Sequence, residues 1–294
     1  MGKSQTTAGS KIAVSDASDI LAVWEESSQF WRKHQATIER MFAPLTRALI
    51  DAAQITKGQH VLDIGGGSGQ PSLSIASIVG NDGSVTYTDP SAGMVETARD
   101  EATRRGLTNI QFHKTPAQVL PFENDTFDVA VGRLSVMFFP DLAAGLKEIV
   151  RVVRPGGRVS FLVWGSKEAN PFFSSVTEVL DRFIPPDLED EDAPGAFRFA
   201  KPGKLLKGLA DAGVTQIEEQ PLPFRIEAPV TPEKFWELRS EMSDTLRTKL
   251  ATLALEQIAG VRKAVENSVR QYFETGVMSF PAQALLVSGC VTAN

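Results

Sequence analysis

The segment Val61–Gly69 has the sequence VLDIGGGSG and is the most informative part of this chain. Its first four residues form an apolar run that predicts a short buried strand, and that strand carries one acid, Asp63. Gly65, Gly67 and Gly69 then predict a sharp turn, because glycine has no Cβ and lets the backbone come close to a ligand. Open α/β sheets bind ligands at the carboxyl ends of their strands, so this turn is a candidate binding loop.

Outward from this segment, short apolar strands alternate with helical stretches. The predicted strands are Val61–Ile64, Val85–Thr88, Ile110–His113, Phe127–Val131 and Val159–Trp164, and the predicted helices are Pro71–Val79, Ala92–Arg105 and Leu142–Val153. Alternation of this kind implies parallel strands joined by right-handed crossovers. It predicts a doubly wound α/β fold.

The segments on either side of this core lack the regular alternation. A first helical stretch runs from about Ala17 to Ala53, with a break near Ser27. After Trp164 the sequence predicts helices at Lys204–Ala212, Pro232–Met242 and Ile258–Phe273, and strands at Val214–Ile217 and Ala282–Val291. We expect a disordered tail over residues 1–15 and one domain over 16–294. Within that domain, segments 16–53, 165–200 and 225–278 are expected to form a helical cap over the sheet.

Composition limits the class of protein. The 294 residues carry a net charge of −6 and no lysine- or arginine-rich stretch, so we expect no nucleic-acid partner. A single cysteine, Cys290, excludes an internal disulfide, which is typical of a reducing compartment. No apolar run approaches the roughly 20 residues that span a bilayer, and Met1–Ser10 lacks the apolar stretch of a signal peptide. We therefore predict a cytoplasmic protein that could form a homodimer, although the sequence leaves the oligomeric state open.

Two short motifs have ordinary explanations. Met1–Thr6 fits the loose pattern for N-myristoylation, but we interpret it as part of a polar tail. The acidic run Asp187–Asp192 could suggest a metal site, but we interpret it as a solvated loop.

A second acid, Asp89, ends the second predicted strand, twenty residues after Gly69. An acid at that position accepts hydrogen bonds from both hydroxyls of a ribose. The alternative is that Asp89-Pro90-Ser91 only caps the helix that follows. The two interpretations are compatible, because a helix cap leaves the side chain at the edge of the sheet.

Four segments together resemble class I S-adenosylmethionine (SAM)-dependent methyltransferases, and most closely those of ubiquinone and menaquinone biosynthesis. They are VLDIGGGSG, TDPSAGMVETAR, LPFENDTFDVAVGR and EIVRVVRPGGRVSFLVWG. The resemblance covers about residues 20–225. It implies a Rossmann-like, seven-stranded, mostly parallel sheet with an antiparallel C-terminal strand. It also implies methyl transfer from SAM to a small molecule, with S-adenosylhomocysteine (SAH) as the second product and no metal.

The same resemblance assigns cofactor contacts to individual residues. It implies that the methionine end of SAM lies against Asp63, Gly65, Gly66, Gly67 and Gly69, the ribose against Asp89, the adenine against Met94, Ala117 and Gln118, and the sulfonium near Arg133. Many relatives have an aspartate before the alanine, whereas this chain has Pro116. We therefore expect Gln118 or backbone groups to recognise the adenine.

An acceptor pocket is also suggested by the sequence. In-line methyl transfer holds the acceptor roughly 3 Å from the methyl carbon and excludes water, which a cap over the strand ends would do. The candidate lining is aromatic: Phe30, Trp31, Phe138, Trp164, Phe172 and Phe197. Such a lining suits a flat or apolar acceptor, although many aromatic side chains only fill cores. His34 is the candidate general base, because histidine titrates near neutral pH; the alternative is a solvated surface histidine.

Three other functions fit the sequence less well. A nucleotide-dependent oxidoreductase is disfavoured because Gln70 interrupts the dinucleotide pattern G-x-G-x-x-G. A protein that binds SAM without catalysing a reaction is the second alternative, and no residue in the sequence excludes it. A nucleic-acid or protein methyltransferase is disfavoured by the acidic charge and by the position of Asn170–Phe173 (NPFF), which follows the fifth strand, whereas the related N-P-P-[YF] motif follows the fourth. We interpret NPFF as a helix start, because asparagine before a first-turn proline is a good cap.

Overall fold

The computed structural model describes residues 17–186, 190–274 and 276–292. The predicted tail, its myristoylation pattern and the first three residues of the acidic run lie outside the described residues. In the rest of that run, Asp192 forms an ion pair with Lys204 at 2.7 Å. Among the described helices, none has both the length and the apolar character needed to cross a membrane.

Seven strands form one sheet at the centre of the protein. They are β1 (His60–Ile64), β2 (Ser84–Asp89), β3 (Ile110–Lys114), β4 (Phe127–Arg133), β5 (Val153–Trp164), β6 (Val214–Ala228) and β7 (Met278–Val291). Their order is β3-β2-β1-β4-β5-β7-β6. Strands β1 to β5 pair in parallel, and β7 runs antiparallel to both of its neighbours. The doubly wound, mostly parallel sheet with an antiparallel C-terminal strand is therefore confirmed.

Strand β1 is the centre of this arrangement. Its residues Val61, Leu62 and Ile64 are almost completely buried, as expected for a parallel strand covered on both faces. On either side of it lie β2 and β4, so the connection from β1 to β2 and the later return to β4 run in opposite directions. The carboxyl end of β1 is thus the switch point at which open α/β sheets bind ligands.

Eleven α-helices are present in the described part of the chain. They are α1 (Ala17–Lys33), α2 (Gln35–Met41), α3 (Ala43–Ala52), α4 (Ser72–Val79), α5 (Ala92–Arg104), α6 (Leu142–Val152), α7 (Pro171–Leu180), α8 (Lys204–Asp211), α9 (Pro232–Met242), α10 (Asp244–Leu250) and α11 (Leu255–Ser268). Helix α1 packs on α5 and α9, α3 packs on β4 and β5, and α11 packs on α7 and α9. The segments predicted to form a cap therefore contact both the sheet and one another.

Some predicted boundaries differ from the structure. The break expected near Ser27 is wrong: Ser27 is buried within α1, where its hydroxyl accepts a hydrogen bond from Arg247. The chain leaves helical geometry instead at His34 and Phe42. The strand expected at Val214–Ile217 continues to the end of β6, because it pairs along most of its length with β7. Helix α10 is not among the helices that the sequence predicts.

Candidate active site

A cavity of about 570 Å³ lies at the carboxyl ends of β1, β2 and β4. From the sheet side it is lined by Ile64–Ser68, Gln70, Asp89, Pro90, Met94, Lys114–Gln118, Arg133–Ser135 and Phe138–Asp141. From the helical side it is lined by Ala17, Ser18, Ile20, Leu21, Trp24, Trp31 and Phe42. Its position at the switch point and its largely apolar wall are typical of a small-molecule site.

The glycine loop forms one end of this cavity. Gly65, Gly67 and Gly69 have φ values of +66°, +54° and +115°, which residues with a Cβ rarely adopt. Gly66 is required for a different reason, because a Cβ at this position would lie 2.5 Å from the ring of Tyr87. The loop therefore uses three glycines for conformation and one for space.

Asp63 lies behind the glycine loop, and neither it nor Gly69 lines the cavity. Its Oδ2 accepts hydrogen bonds from the Ser72 backbone N–H at 3.1 Å and the Ser72 hydroxyl at 2.6 Å. Its Oδ1 is buried without a partner. Burial, partly offset by the Ser72 bonds, raises the pKa of Asp63 to about 6. Asp63 thus fixes the start of α4, and its unpaired oxygen fits the cationic amine that the resemblance assigns to it.

Asp89 faces the cavity at the end of β2. Its Oδ2 accepts a hydrogen bond from the Gly67 N–H at 3.0 Å, and its Oδ1 accepts one from the Ser91 N–H at 2.9 Å. Burial, partly offset by these two bonds, raises the pKa of Asp89 to about 7. The cap of α5 is Ser91, whose hydroxyl accepts from the Met94 N–H. Asp89 therefore keeps lone pairs that suit ligand hydroxyls.

The predicted adenine residues Met94, Ala117 and Gln118 all line the cavity. The Gln118 side-chain amide donates to the backbone carbonyl of Asp141 at 3.3 Å, which leaves its own carbonyl oxygen as an acceptor. Asp141 also lines the cavity while capping α6. Asp141 is not among the predicted site residues, because nothing in its local sequence distinguishes a ligand contact from an ordinary helix cap.

Arg133 lies at the end of β4 and lines the cavity. Its Nη1 donates to the Thr46 hydroxyl at 2.8 Å, and its guanidinium carbon lies 5.9 Å from the centre of the Phe42 ring. Burial lowers the pKa of Arg133 to about 10, so the side chain remains protonated at neutral pH. The structure thus places a cation on the aromatic wall of the cavity.

Aromatic side chains cover the side of the cavity opposite the loop. Trp31 and Phe138 line it, as the sequence predicts, and Trp24 lies between them with ring-centre distances of 6.0 and 5.0 Å. The predicted pocket residues do not include four apolar residues that also line the cavity: Ile20, Leu21, Trp24 and Phe42. Ile20 and Trp24 lie on the same face of α1 as the predicted Trp31, and this spacing was the signal that could have indicated two of these contacts.

The other predicted pocket residues are not brought to the cavity. Phe30 instead lies 5.0 Å from the Arg247 guanidinium. Trp164, Phe172 and Phe197 belong to an aromatic cluster behind Phe42, joined through Phe173. The reason is geometric: residue type predicts an apolar environment, but the fold decides whether that environment is a cavity or a core.

Helix α1 is fastened over α5. The Glu25 carboxylate accepts hydrogen bonds from the Ala92 and Gly93 N–H groups, at 2.8 and 3.2 Å. These are the first N–H groups of α5, where the helix dipole favours a negative charge. Arg32 forms ion pairs with two acids of α5. The helix therefore closes the cavity through side chains that lie outside it.

Helix α2 holds the glycine loop from the other side. Gln35 donates to the backbone carbonyl of Ser68 at 2.6 Å, and Glu39 accepts from Gln70 at 2.8 Å. Gln35 and Glu39 are four residues apart and so lie on the same face of the helix. The loop is thus fixed between β2 and α2.

His34 faces away from the cavity. Its Nε2 lies 2.6 Å from a carboxylate oxygen of Glu241, and Lys33 donates to both Glu241 and Glu237. Ligand atoms of His34, Glu237 and Glu241 lie within 4.8 Å of one another, and Lys33 supplies positive charge to this group. This arrangement links the α1–α2 junction to α9, and His34 does not line the candidate site.

The NPFF segment has a structural role at the β5–α7 junction. Pro171 begins α7, as the sequence predicts, but the Asn170 side chain makes no capping bond to the helix. It donates instead to the backbone carbonyls of Ser166 and Gln283, and it accepts from the Gln283 N–H. The expected cap is therefore wrong for Asn170, which joins this junction to β7.

Comparison with known proteins identifies the family of this chain. The model of the ubiE/COQ5 methyltransferase family matches residues 40–188. Aklanonic acid methyltransferase DauC of Streptomyces sp. (strain C5) is 34% identical over 168 residues, covering 56% of this chain and 72% of that protein. An uncharacterized protein of Mycobacterium tuberculosis is 39% identical over 180 residues, covering 61% of this chain. The chain spans 62% of that relative's length.

Solved structures share the same fold at lower identity. The YcgJ protein of Bacillus subtilis aligns with a TM-score of 0.55 and 18% identity, covering 85% of this chain and 98% of that one.

Proposed function

The chain belongs to the ubiE/COQ5 methyltransferase family and is a SAM-dependent methyltransferase, and we propose that it methylates a small aromatic or apolar molecule by in-line displacement. The observation that carries the proposal is the hydrogen bond between the Gly67 N–H and Asp89, at the edge of a cavity with an aromatic wall. It joins the two motifs that the cofactor needs into one surface.

The residues present fit SAM. In the proposed arrangement Asp89 accepts hydrogen bonds from the ribose, the glycine loop follows the methionine, and Met94, Ala117 and Gln118 surround the adenine. When bound, SAM supplies an electrophilic methyl group on a sulfonium. The unpaired Asp63 oxygen behind the loop supports this assignment, because a buried carboxylate is stabilised by a nearby cation.

The acceptor would lie against the aromatic wall formed by Trp24, Trp31, Phe42 and Phe138. Rings at these positions exclude water and hold a flat molecule in a fixed orientation. Holding it roughly 3 Å from the methyl carbon, in line with the departing sulfur, is the main contribution that the protein makes to the rate. A relative named for aklanonic acid also supports a small-molecule acceptor.

The proposal assigns no catalytic role to His34. All three histidines are described by the structure, and none of them lines the cavity. His34 is bonded to Glu241, His60 to Ser84, and His113 packs against Phe122. Positioning is therefore proposed to dominate over proton transfer from a protein base.

Calorimetric titration of SAM and SAH tests the cofactor site. We expect both to bind the wild type, and Asp89→Ala to weaken SAH binding by about 1.5–3 kcal/mol, the value of a hydrogen bond to a charged group. Asp128→Ala is the matched control, because Asp128 also accepts from a backbone N–H but lies near the amino end of β4, away from the cavity at the carboxyl ends of the strands. Failure of either ligand to bind folded wild-type protein would overturn the proposal.

Turnover is the second measurement. SAH formation from SAM with a panel of aromatic acceptors distinguishes an enzyme that uses small molecules from a protein that only binds SAM. A protein that binds SAH tightly and turns over none of the panel would contradict the proposed acceptor class while leaving the cofactor site intact.

A further inference from the structure

Arg133 is a cation in the cavity without an anionic partner. One of its five N–H groups is used by Thr46, and its Nε has no partner. Within the described part of the chain, no carboxylate forms an ion pair with it. A partly buried guanidinium without a counter-ion has lost part of its hydration, which is unfavourable, and an anion that enters beside it recovers part of that free energy.

Asp63 is the acid whose charge raises the pKa of Arg133 most, followed by Glu39, but neither is paired with Arg133 in the described part of the chain. The Asp63 Oδ2 accepts both Ser72 hydrogen bonds, and the carboxylate lies behind the glycine loop, outside the lining of the cavity. Arg133 lies instead on the cavity side, against the Phe42 ring. A flat anion placed here would contact an aromatic wall and a guanidinium together.

Few groups in the cavity could remove a proton from an acceptor. The two carboxylates in its lining, Asp89 and Asp141, each accept hydrogen bonds from the backbone, and no histidine lines it. An acceptor that arrives already ionised needs no such group.

We propose that the acceptor carries an ionised oxygen, as an aromatic carboxylate or an acidic phenol does, and that Arg133 pairs with this oxygen. The proposal rests on the proposed function, since it describes the acceptor of the same site. In the reaction, the ionised oxygen attacks the methyl carbon of SAM. The C–O bond forms as the C–S bond breaks, the bonding electron pair remains on sulfur as SAH forms, and no proton is released.

A competing assignment is that Arg133 pairs with the carboxylate of SAM itself. The two are separated by comparing SAH with 5′-methylthioadenosine, which lacks the whole amino-acid end, both its amine and its carboxylate. Of these two groups only the carboxylate is an anion that Arg133 could pair with. We expect Arg133→Gln to change the affinity for both by less than about threefold, because the partner is the acceptor. A loss of about tenfold or more for SAH alone would overturn the proposal and assign Arg133 to the cofactor.

The acceptor is tested on the full chain loaded with SAH. Two pairs of probes are titrated by calorimetry. The first pair is anthraquinone-2-carboxylate and its neutral carboxamide. The second pair is 2-hydroxyanthraquinone, at a pH above its own pKa, and its neutral methyl ether. We expect the ionised member of at least one pair to bind wild type about 10- to 100-fold more tightly than the neutral member. A preference in the first pair identifies a carboxylate, and one in the second identifies a phenolate.

Two variants complete the design. Arg133→Gln should abolish the preference, and Arg133→Lys should retain part of it. Arg239→Gln is the control, because Arg239 is also a buried arginine with an unpartnered Nε, but it lies between Phe172 and Phe173 and does not line the cavity. It should keep the preference. Equal binding within both pairs, binding of none of the four probes, or a preference that survives Arg133→Gln would each overturn the proposal, whereas loss of SAH binding itself refutes the proposed function.

Discussion

The Gly67 backbone N–H donates a hydrogen bond of 3.0 Å to Oδ2 of Asp89, 22 residues further along the chain. The Tyr87 hydroxyl donates to the Gly67 carbonyl at 2.6 Å, so both polar groups of Gly67 are held by β2. The glycine loop and the acid at the end of β2 are therefore fixed relative to each other before a ligand binds. Such preorganisation reduces the conformational entropy lost on binding.

The two central glycines of the loop should respond differently to alanine. A Cβ on Gly66 would lie 2.5 Å from the buried Tyr87 ring and 2.9 Å from Asp63, whereas one on Gly67 has open space but keeps a positive φ. We expect Gly66→Ala to lower the free energy of unfolding by about 3 kcal/mol and to abolish SAH binding. Gly67→Ala should lower it by only about 1–2 kcal/mol. Urea unfolding and SAH titration of both variants measure this, and equal losses of stability would contradict the steric argument.

Asp63 should make the ligand-free protein less stable as the pH rises. Its pKa is about 6 in the folded protein against an ordinary value of 3.8, so the folded state binds more protons between these values. The free energy of unfolding then falls as the pH rises through this window, by up to about 3 kcal/mol from this group. Asp63→Asn removes the effect, so the stability of the variant minus that of wild type should increase from pH ~4 to ~7. Urea unfolding of both proteins without ligand, at several pH values, measures this difference. If the free energies of unfolding of wild type and variant changed in parallel with pH, the prediction would be wrong.

Gly93 tests whether α1 is docked on α5. A Cβ on Gly93 would lie 2.7 Å from the Cβ of Ser28 in α1. In an isolated helix, replacing glycine by alanine stabilises by about 1 kcal/mol. If Gly93→Ala instead destabilises the protein, the new Cβ meets Ser28 and α1 is packed on α5. We expect Gly93→Ala to be destabilising and to accelerate the release of SAH, followed by the fluorescence of Trp24 in the cavity wall.

Ser28→Gly provides the control for this contact. Added to Gly93→Ala, it removes the atoms that the new Cβ would meet, and it should restore slow release. A stabilising effect of Gly93→Ala alone would show that α1 does not pack here in solution.

Asn170 should support the fold and not the chemistry. It is completely buried, and its amide makes three hydrogen bonds with Ser166 and Gln283 at 2.8 to 3.1 Å. We expect Asn170→Ala to lower the free energy of unfolding by about 2–3 kcal/mol, because buried backbone groups lose their partners. SAH affinity should change by less than about twofold. Unchanged stability together with lost turnover would return NPFF to a catalytic role.

Parts of the site could be predicted from the sequence because they depend on short segments. The Val61–Gly69 segment combines a buried strand with glycines at three positive φ values. Asp89 ends the next strand, at the end of the sheet where open α/β folds bind ligands. The aromatic wall was predicted less well: of six candidate residues, Trp31 and Phe138 line the cavity. Their sequence neighbourhoods do not differ from those of Trp164 and Phe172, which are core residues.

The doubly wound sheet and the loop of its ligand site follow from the amino-acid sequence, since strand periodicity, glycine turns and strand-end acids are properties of a few adjacent residues. Three features of the site depend instead on how the chain packs: His34 faces Glu241, Ser72 occupies one oxygen of Asp63, and Arg133 meets the cavity without a paired carboxylate. The physical reason is that each depends on contacts between elements far apart in the chain, as His34 and Glu241 are, at 207 residues. Hydrophobic periodicity specifies which face of an element is buried, but the packing of several elements decides what that face meets.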